Sequence, residues 1–273
     1  MHPQDYPPQE PLSEFARPYH EEVLRRAHGL AGIEVIHGAS TYQSLVFFAA
    51  ANLGADVLIM IHGGGWTNGY KEWMAFMSRA VNATGVTFVS LGYRLAPLFV
   101  FPAGLEDCMD GIAWVFNHAG ELSGNAARIF VGGHSAGGHY ASLLAVRRDW
   151  QEARGLPADL IRGCLPVSGV FRFGAGSGLS MRPRFLGGEV NEIPASPVHN
   201  IHAVPPPFFI SYGSNEFPHV KTQAQDMAAA LVRQGGSVRM LELSGCDHLG
   251  ASVACGEPGG LWVTNASAWM REC

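Results

Sequence analysis

The sequence predicts an α/β domain built on a mostly parallel, doubly wound sheet. Short apolar runs alternate with stretches of helical periodicity. The interior runs are apolar nearly throughout, as expected for strands that helices cover on both faces. Apolar residues make up 47% of the 273 residues and charged residues 15%, a composition that buries a large core. No repeat or linker divides the chain, so we expect a single domain over residues 1–273.

Eight apolar runs are candidate strands. The first two follow each other without a helix between them, so that edge of the sheet is expected to be antiparallel. The later runs are separated by helical stretches, which predicts parallel neighbours. The candidate strands are 33–37, 45–50, 57–61, 86–91, 128–132, 163–167, 208–212 and 238–243.

The rest of the sequence comprises candidate helices and two irregular stretches. Residues 1–11 are rich in proline and polar groups, which predicts a loose arm, and 13–28 have helical spacing with Ser13 as a candidate N-cap. Residues 1–30 are therefore expected to be an N-terminal arm and helix. Residues 172–207 are rich in glycine, proline and serine and indicate a functional loop insertion or small lid. The other candidate helices are 72–82, 105–118, 136–147, 220–234 and 260–271.

Composition argues against several classes of partner. The net charge is −5 and no cluster of Lys and Arg stands out, so no nucleic-acid partner is expected. No apolar run reaches about 18 residues, so no membrane span is expected. The N-terminus lacks the basic and apolar regions of a signal peptide, and the five cysteines form no CxxC pair. A cytoplasmic protein with reduced thiols is expected, and a homodimer stays open.

The strongest chemical signal is the segment GHSAG at residues 133–137. It follows a candidate strand and opens a candidate helix, which is the setting of a nucleophile elbow. Gly133 and Gly137 provide the small residues that so tight a turn needs, and the turn places the Ser135 hydroxyl at a helix N-terminus. The alternative is a glycine-rich turn without chemistry.

The segment HGGGW at residues 62–66 directly follows another candidate strand. Consecutive glycines let backbone N–H groups approach a substrate, and such donors stabilise the oxyanion of a tetrahedral intermediate. A flexible turn is the alternative. A glycine segment that precedes a nucleophile elbow in the chain is the order expected when the two act together.

A base and an acid follow the serine in the expected order of serine, acid and histidine. His248 lies just after the last candidate strand, and its rivals are the other downstream histidines, His199, His202 and His219. Glu216 follows the strand 208–212 and could orient the base. Asp247 adjoins the histidine in poor geometry, and Asp226 falls inside a helix. The HxxH pair at 199 and 202 lacks a third ligand, so no metal is expected.

Together these segments resemble the hormone-sensitive-lipase-like branch of the α/β hydrolases. Within it, GHSAGGH at 133–139 resembles the arylformamidase (kynurenine formamidase-like) group, and GYRLAP at 92–97 matches a segment of the branch. The resemblance implies the α/β-hydrolase fold, Ser135 as nucleophile, His248 as base, and the amides of Gly64, Gly65 and Ala136 as oxyanion hole. It places the acid at Glu216, where aspartate is commoner. It implies no cofactor.

The predicted reaction is acyl transfer to water through an acyl-enzyme. The leading interpretation of the substrate is an aryl amide or small ester, such as an N-formyl or N-acyl aromatic amine. A short-chain carboxylesterase is the alternative, and a non-catalytic binding protein is the alternative of another class. Aromatic side chains beside the motifs are candidates for a substrate pocket or for ordinary core packing: Trp66, Tyr70, Trp73, His139 and Phe217.

Overall fold

The structure is a computed structural model that describes residues 3–178 and 184–273. Across these residues one sheet is formed by β1 Ile33–Ile36, β2 Ser44–Phe48, β3 Ala55–Ile61, β4 Thr87–Leu91, β5 Gly124–His134, β6 Ile161–Val167, β7 Phe208–Gly213 and β8 Val238–Leu243. The strand order is β1-β2-β4-β3-β5-β6-β7-β8. Strand β2 is antiparallel to β1 and β4, and every other neighbouring pair is parallel.

Helices cover both faces of this sheet. They are α1 Ala16–Ala27, α2 Glu72–Ala75, α3 Ser78–Asn82, α4 Ala103–His118, α5 Ala136–Val146, α6 Asp149–Glu152, α7 Glu192–Ala195, α8 Pro218–Arg233, α9 His248–Ala254 and α10 Leu261–Glu272. Helices α4, α5 and α8 share one apolar core with one face of the sheet. Helices α1, α2, α3 and α10 share a second core with the other face. Each interior strand therefore buries side chains on both sides, which explains why those runs are apolar throughout.

The predicted fold class is confirmed: eight strands form a mostly parallel sheet, and its first edge is antiparallel. The predicted helix at 72–82 is instead two short helices separated by a turn at Phe76 and Met77, both of which are buried. The short helices α6, α7 and α9 were not predicted. None of them is long enough to show a clear period in the sequence.

The prediction of a loose arm at residues 1–11 is wrong for the part that the structure describes. Tyr6 is only 7% exposed, and its ring lies 5.0 Å from that of Tyr42 and 4.9 Å from that of Tyr70. Its hydroxyl donates a hydrogen bond to Glu72. The proline content of this segment indicates its local backbone conformation. It does not predict the tertiary contacts of a single aromatic side chain such as Tyr6.

The insertion at 172–207 packs on the body of the protein where it is described. Phe185 is fully buried and stacks on Trp66 with 4.3 Å between ring centroids. Ala195, at the end of α7, is also buried. The middle of the expected lid, residues 179–183, lies outside the described residues. Within the described ranges, each helix is too short or too polar to cross a lipid bilayer.

Candidate active site

Four loops meet above the carboxyl ends of the parallel strands. Strand β3 leads into the glycine segment at 62–66, β5 into Ser135, β7 into Glu216 and β8 into His248. Because β3, β5, β6, β7 and β8 are parallel neighbours, these four ends lie along one edge of the sheet. That edge is where open α/β sheets bind their ligands.

Ser135 occupies the tight turn between β5 and α5. Its backbone has φ 53° and ψ −113°, a conformation that non-glycine residues rarely adopt. The turn lets α5 approach β3 closely: a β-carbon on Gly137 would overlap the Ile61 carbonyl group, and one on Gly133 would lie 2.5 Å from the Gly137 backbone. Strain at the serine is thus maintained by backbone packing on both sides.

We expect Gly137→Ala to destabilise the protein by about 3 kcal/mol, since the added methyl group meets backbone that is itself hydrogen-bonded in the sheet. Urea unfolding measures the loss. Gly120→Ala is the matched control, because a β-carbon there would meet no atom within 4 Å. Equal stability of the two variants would contradict the close packing of the elbow.

The structure brings Ser135, His248 and Glu216 into one hydrogen-bonded chain. The Nε2 atom of His248 lies 2.9 Å from Ser135 Oγ, and its Nδ1 atom lies 2.8 Å from Glu216 Oε1. Asp247, the alternative acid, is directed elsewhere: its side chain caps α9 by accepting the N–H of Gly250 at 2.7 Å. The arrangement is that of a serine nucleophile, a histidine base and a carboxylate that orients the base.

The buried carboxylate of Glu216 stays ionised. Burial alone would raise its pKa, but the hydrogen bond and charge of His248, with smaller contributions from Ser168 and the Phe217 N–H, bring the pKa below its ordinary value of 4.5. The Phe217 N–H donates to the same oxygen, Oε1, at 2.8 Å. The acid is therefore available as an acceptor for His248 throughout the neutral range.

His134 packs against His248, a contact that the sequence analysis does not predict. It is fully buried, and burial lowers its pKa to about 3, so the ring is neutral. Its Nε2–H donates to the backbone carbonyl of His248 at 2.8 Å, and the two rings lie 4.8 Å apart. Its place next to the nucleophile in sequence is the only signal that could have suggested this contact.

The oxyanion-hole candidates lie on the two segments that adjoin the nucleophile elbow, the glycine segment and the start of α5. Gly64 and Gly65 line the same cavity as Ser135, and Ala136 begins α5, where the first N–H groups have no partner within the helix. Gly64 has φ 110° and Gly65 has φ 61°, which turn the chain back on itself directly after β3. This geometry requires glycine at 64, since a β-carbon there would overlap the Asn68 carbonyl.

A cavity of about 440 Å³ opens beside Ser135 and His248. Of the five predicted pocket residues, Trp73 and Phe217 line it. Most of the remaining wall was not predicted and comes from the N-terminal segment, because residues so distant in sequence carry no local signal of their meeting. The further lining side chains include Leu12, Phe15, Tyr19, Thr67, Asn68, Arg184 and Leu249.

Trp66, Tyr70 and His139 are not among the residues that line this cavity, contrary to the prediction. Trp66 has φ 63°, and its indole N–H donates to Nδ1 of His139 at 3.1 Å. His139 is fully buried, and its Nε2–H donates to the Ala195 carbonyl at 2.6 Å. Tyr70 packs against Tyr6. These three side chains join the glycine segment to the insertion and to the N-terminal arm.

Among the candidate histidines in the described ranges, His248 is the one that forms a hydrogen bond with Ser135. His199 lines a separate cavity of about 190 Å³ together with Arg172 and Asp226. His219 stacks on Phe217 with 5.7 Å between ring centroids. In residues 3–178 and 184–273 no group of three or more His, Cys, Asp or Glu side chains is placed to hold a metal ion.

The described residues adopt the α/β-hydrolase fold. The family model of the α/β-hydrolase fold matches residues 58–177, which contain the glycine segment and the elbow. The fold of EstE1, a thermophilic carboxylesterase cloned from a metagenomic library, matches with a TM-score of 0.78 at 20% identity, over 95% of this chain and 96% of that one.

Several curated relatives are named as esterases. The chain is similar to esterase LipQ of Mycobacterium tuberculosis (strain ATCC 25618 / H37Rv), at 29% identity over 71% of this chain and 50% of LipQ. It is similar to carboxylesterase NlhH of the same strain, at 41% identity over 33% of this chain and 28% of NlhH. The chain thus spans about half the length of LipQ. These relatives favour the carboxylesterase alternative over the arylformamidase-like interpretation.

Proposed function

We propose that this chain is a serine carboxylesterase that hydrolyses small, largely apolar esters through an acyl-enzyme. The observation that carries the proposal is the chain of hydrogen bonds from Ser135 through His248 to Glu216, with distances of 2.9 and 2.8 Å, at the wall of an open cavity. The esterase relatives support an ester bond as the target.

In the proposed reaction His248 takes the proton of Ser135 as its oxygen attacks the ester carbonyl carbon. The amides of Gly64, Gly65 and Ala136 donate to the resulting oxyanion. His248 then protonates the leaving alcohol, and the same base activates a water molecule that releases the acid and regenerates the serine. Glu216 holds the ring in the productive tautomer and stabilises the imidazolium.

The cavity supports a substrate with an aromatic or short aliphatic group. Its volume of about 440 Å³ lies within the roughly 300–1,000 Å³ of small-molecule sites. Leu12, Phe15, Tyr19, Trp73 and Phe217 make most of the wall apolar. The charged lining groups are Arg184 and Glu10, which form an ion pair.

A matched pair of substrates tests ester against amide specificity. We expect 4-nitrophenyl butyrate to be hydrolysed with a kcat/KM at least 10³-fold above that of N-butyryl-4-nitroaniline, because the anilide is a far poorer leaving group and the pocket contacts are the same. Each rate is corrected for the uncatalysed reaction. Comparable values, or efficient deformylation of N-formylkynurenine, would instead support the aryl-amide interpretation.

The five cysteines support a reducing location. All five are free thiols, and Cys108, Cys164 and Cys255 are buried. Free buried thiols are usual in the cytosol, where disulfides are rare. We infer a cytoplasmic location on this ground.

A further inference from the structure

The N-terminal strap, residues 3–15, is bound to the loop that carries the oxyanion-hole candidates. This loop, here called the oxyanion loop, comprises residues 62–72. The strap contributes Leu12 and Phe15 to the cavity wall, and the ring centroid of Phe15 lies 6.1 Å from that of Phe217, which also lines the cavity. Its contacts with the oxyanion loop are polar and numerous.

Gln9 makes the central contact. Its Nε2 donates to the Gly69 carbonyl at 2.8 Å, and its Oε1 accepts the Gly69 N–H at 2.9 Å. The side-chain amide thus pairs with one backbone residue as a neighbouring strand would. The second Nε2 proton goes to the Tyr42 hydroxyl at 2.9 Å, which in turn donates to the Pro7 carbonyl at 3.0 Å. Only a group with both donor and acceptor satisfies this site.

Gly69 connects Gln9 to the oxyanion-hole candidates. Its φ is 111°, and a β-carbon on it would lie 2.7 Å from the Gly63 carbonyl oxygen, so its backbone packs directly on the start of the loop. The next residue back, Asn68, donates its backbone N–H to the Gly64 carbonyl at 3.0 Å and its side-chain N–H to the Glu10 carbonyl. The strap therefore holds Asn68, which bonds to Gly64, and Gly69, which packs on Gly63.

A second anchor secures the strap independently of Gln9. The Lys71 side chain is fully buried, and its ammonium donates to the Tyr6 hydroxyl at 2.7 Å and to Glu72 Oε1 at 2.6 Å. The Tyr6 hydroxyl donates to Glu72 Oε2 at 2.8 Å. A buried charge in such a network is costly to leave without its partners, so the strap stays docked when Gln9 alone is removed.

We propose that Gln9 is a positioning residue, which holds Gly69 and through it the Gly64 and Gly65 amides where the oxyanion forms. This inference rests on the proposed esterase function. It makes the N-terminal strap a part of the catalytic site and not only a wall of the cavity. The two hydrogen bonds between the Gln9 amide and Gly69 position the backbone N–H groups that bind the oxyanion. Because the oxyanion forms in the transition state, loss of these hydrogen bonds should lower kcat more than it changes KM.

The first test compares Gln9→Ala with Gln4→Ala, a matched control because Gln4 is an exposed glutamine of the same strap. We expect Gln9→Ala to lower kcat 10–100-fold and to leave KM within about threefold of wild type. Removal of one oxyanion-hole donor lowers kcat about 10²- to 10³-fold, and displacement of a donor should lower it less. Affinity for an aryl trifluoromethyl ketone, which forms an oxyanion on the serine, should fall in parallel. Gln4→Ala should match wild type in both.

The second variant, Gln9→Glu, tests the role within one folded protein. An ionised glutamate cannot donate to the Gly69 carbonyl, whereas a protonated one can both donate and accept. The ratio of its kcat to that of wild type should therefore rise as the pH falls. A purely structural role predicts a ratio that does not change with pH.

The outcomes separate the two proposals. Absence of esterase turnover in wild type, or turnover that survives Ser135→Ala, overturns the proposed function. If wild type is active but Gln9→Ala keeps its kcat and its ketone affinity, the positioning role is wrong. It is equally wrong if titration of active sites with a fluorophosphonate shows that the loss of rate only reflects fewer folded molecules, or if Gln9→Glu shows a constant ratio.

Discussion

Replacing Ser135 by alanine is expected to lower kcat by about 10⁵- to 10⁶-fold while leaving the fold intact. The hydroxyl oxygen forms the covalent intermediate, and removal of the serine of such a triad costs about as much as removal of the whole triad. Alanine keeps the β-carbon, so the packing of the elbow is unchanged. Hydrolysis of 4-nitrophenyl butyrate and circular dichroism measure the two effects.

Labelling with a fluorophosphonate gives an independent measurement of the same prediction. Wild type should incorporate one label per chain, located at Ser135 by peptide mapping. Ser244→Ala, at an exposed serine in the loop before His248, is the control and should be labelled like wild type. Labelling of the Ser135→Ala protein at another residue would show that the nucleophile lies elsewhere.

Glu216→Gln is expected to lower kcat by up to about 10⁴-fold with a smaller change in KM. The amide can hold the imidazole in the wrong tautomer and cannot stabilise the imidazolium, while substrate binding uses other groups. Glu216→Asp should lose less, since the charge remains although the reach to His248 Nδ1 is shorter. Steady-state kinetics with one ester across the three proteins measure the series.

Asp247→Asn is the matched control for this series. Asp247 adjoins His248, yet its Oδ1 atom accepts the Gly250 N–H at the start of α9. Asparagine also caps helices well, so we expect less than a threefold change in kcat and a small change in stability. An inactive Asp247→Asn protein combined with a fully active Glu216→Gln protein would require the acid to be reassigned.

The lowered pKa of Glu216 also sets the sign of its contribution to stability. Because its pKa in the folded protein lies below its ordinary value of 4.5, folding favours the ionised form. The contribution is fully present at neutral pH and is lost as the pH falls through the lowered pKa. The free energy of unfolding should therefore fall less between pH 7 and acid pH in Glu216→Gln than in wild type.

Much of the architecture could be predicted because it has a local signal. The eight apolar runs became the eight strands, and the glycine segment and the elbow directly follow two of them. The residues of the proposed triad were chosen by motif and by their order in the chain, and the structure brings them within hydrogen-bonding distance. Their catalytic roles remain a prediction.

The walls of the cavity could not be predicted in this way. The position of Trp66 directly after the glycines predicts a pocket residue. The structure instead gives Trp66 a positive φ, and its side chain packs against His139 and Phe185. Phe15 and Tyr19 share a helical stripe that predicts a buried face without saying which surface it meets. Where the backbone turns sharply, as in active-site loops, residues that are neighbours in sequence can point their side chains to different surroundings.

The proposed catalytic residues and much of the cavity lining come from different parts of the sequence. The groups proposed to break the bond lie between residues 64 and 248, whereas much of the apolar lining of the cavity comes from residues 10–19. Variation in those first residues changes the shape of the pocket without touching the reacting atoms. If the proposed function holds, exchange of this short N-terminal segment should change substrate preference, provided that Gln9, which contacts the oxyanion loop, is retained.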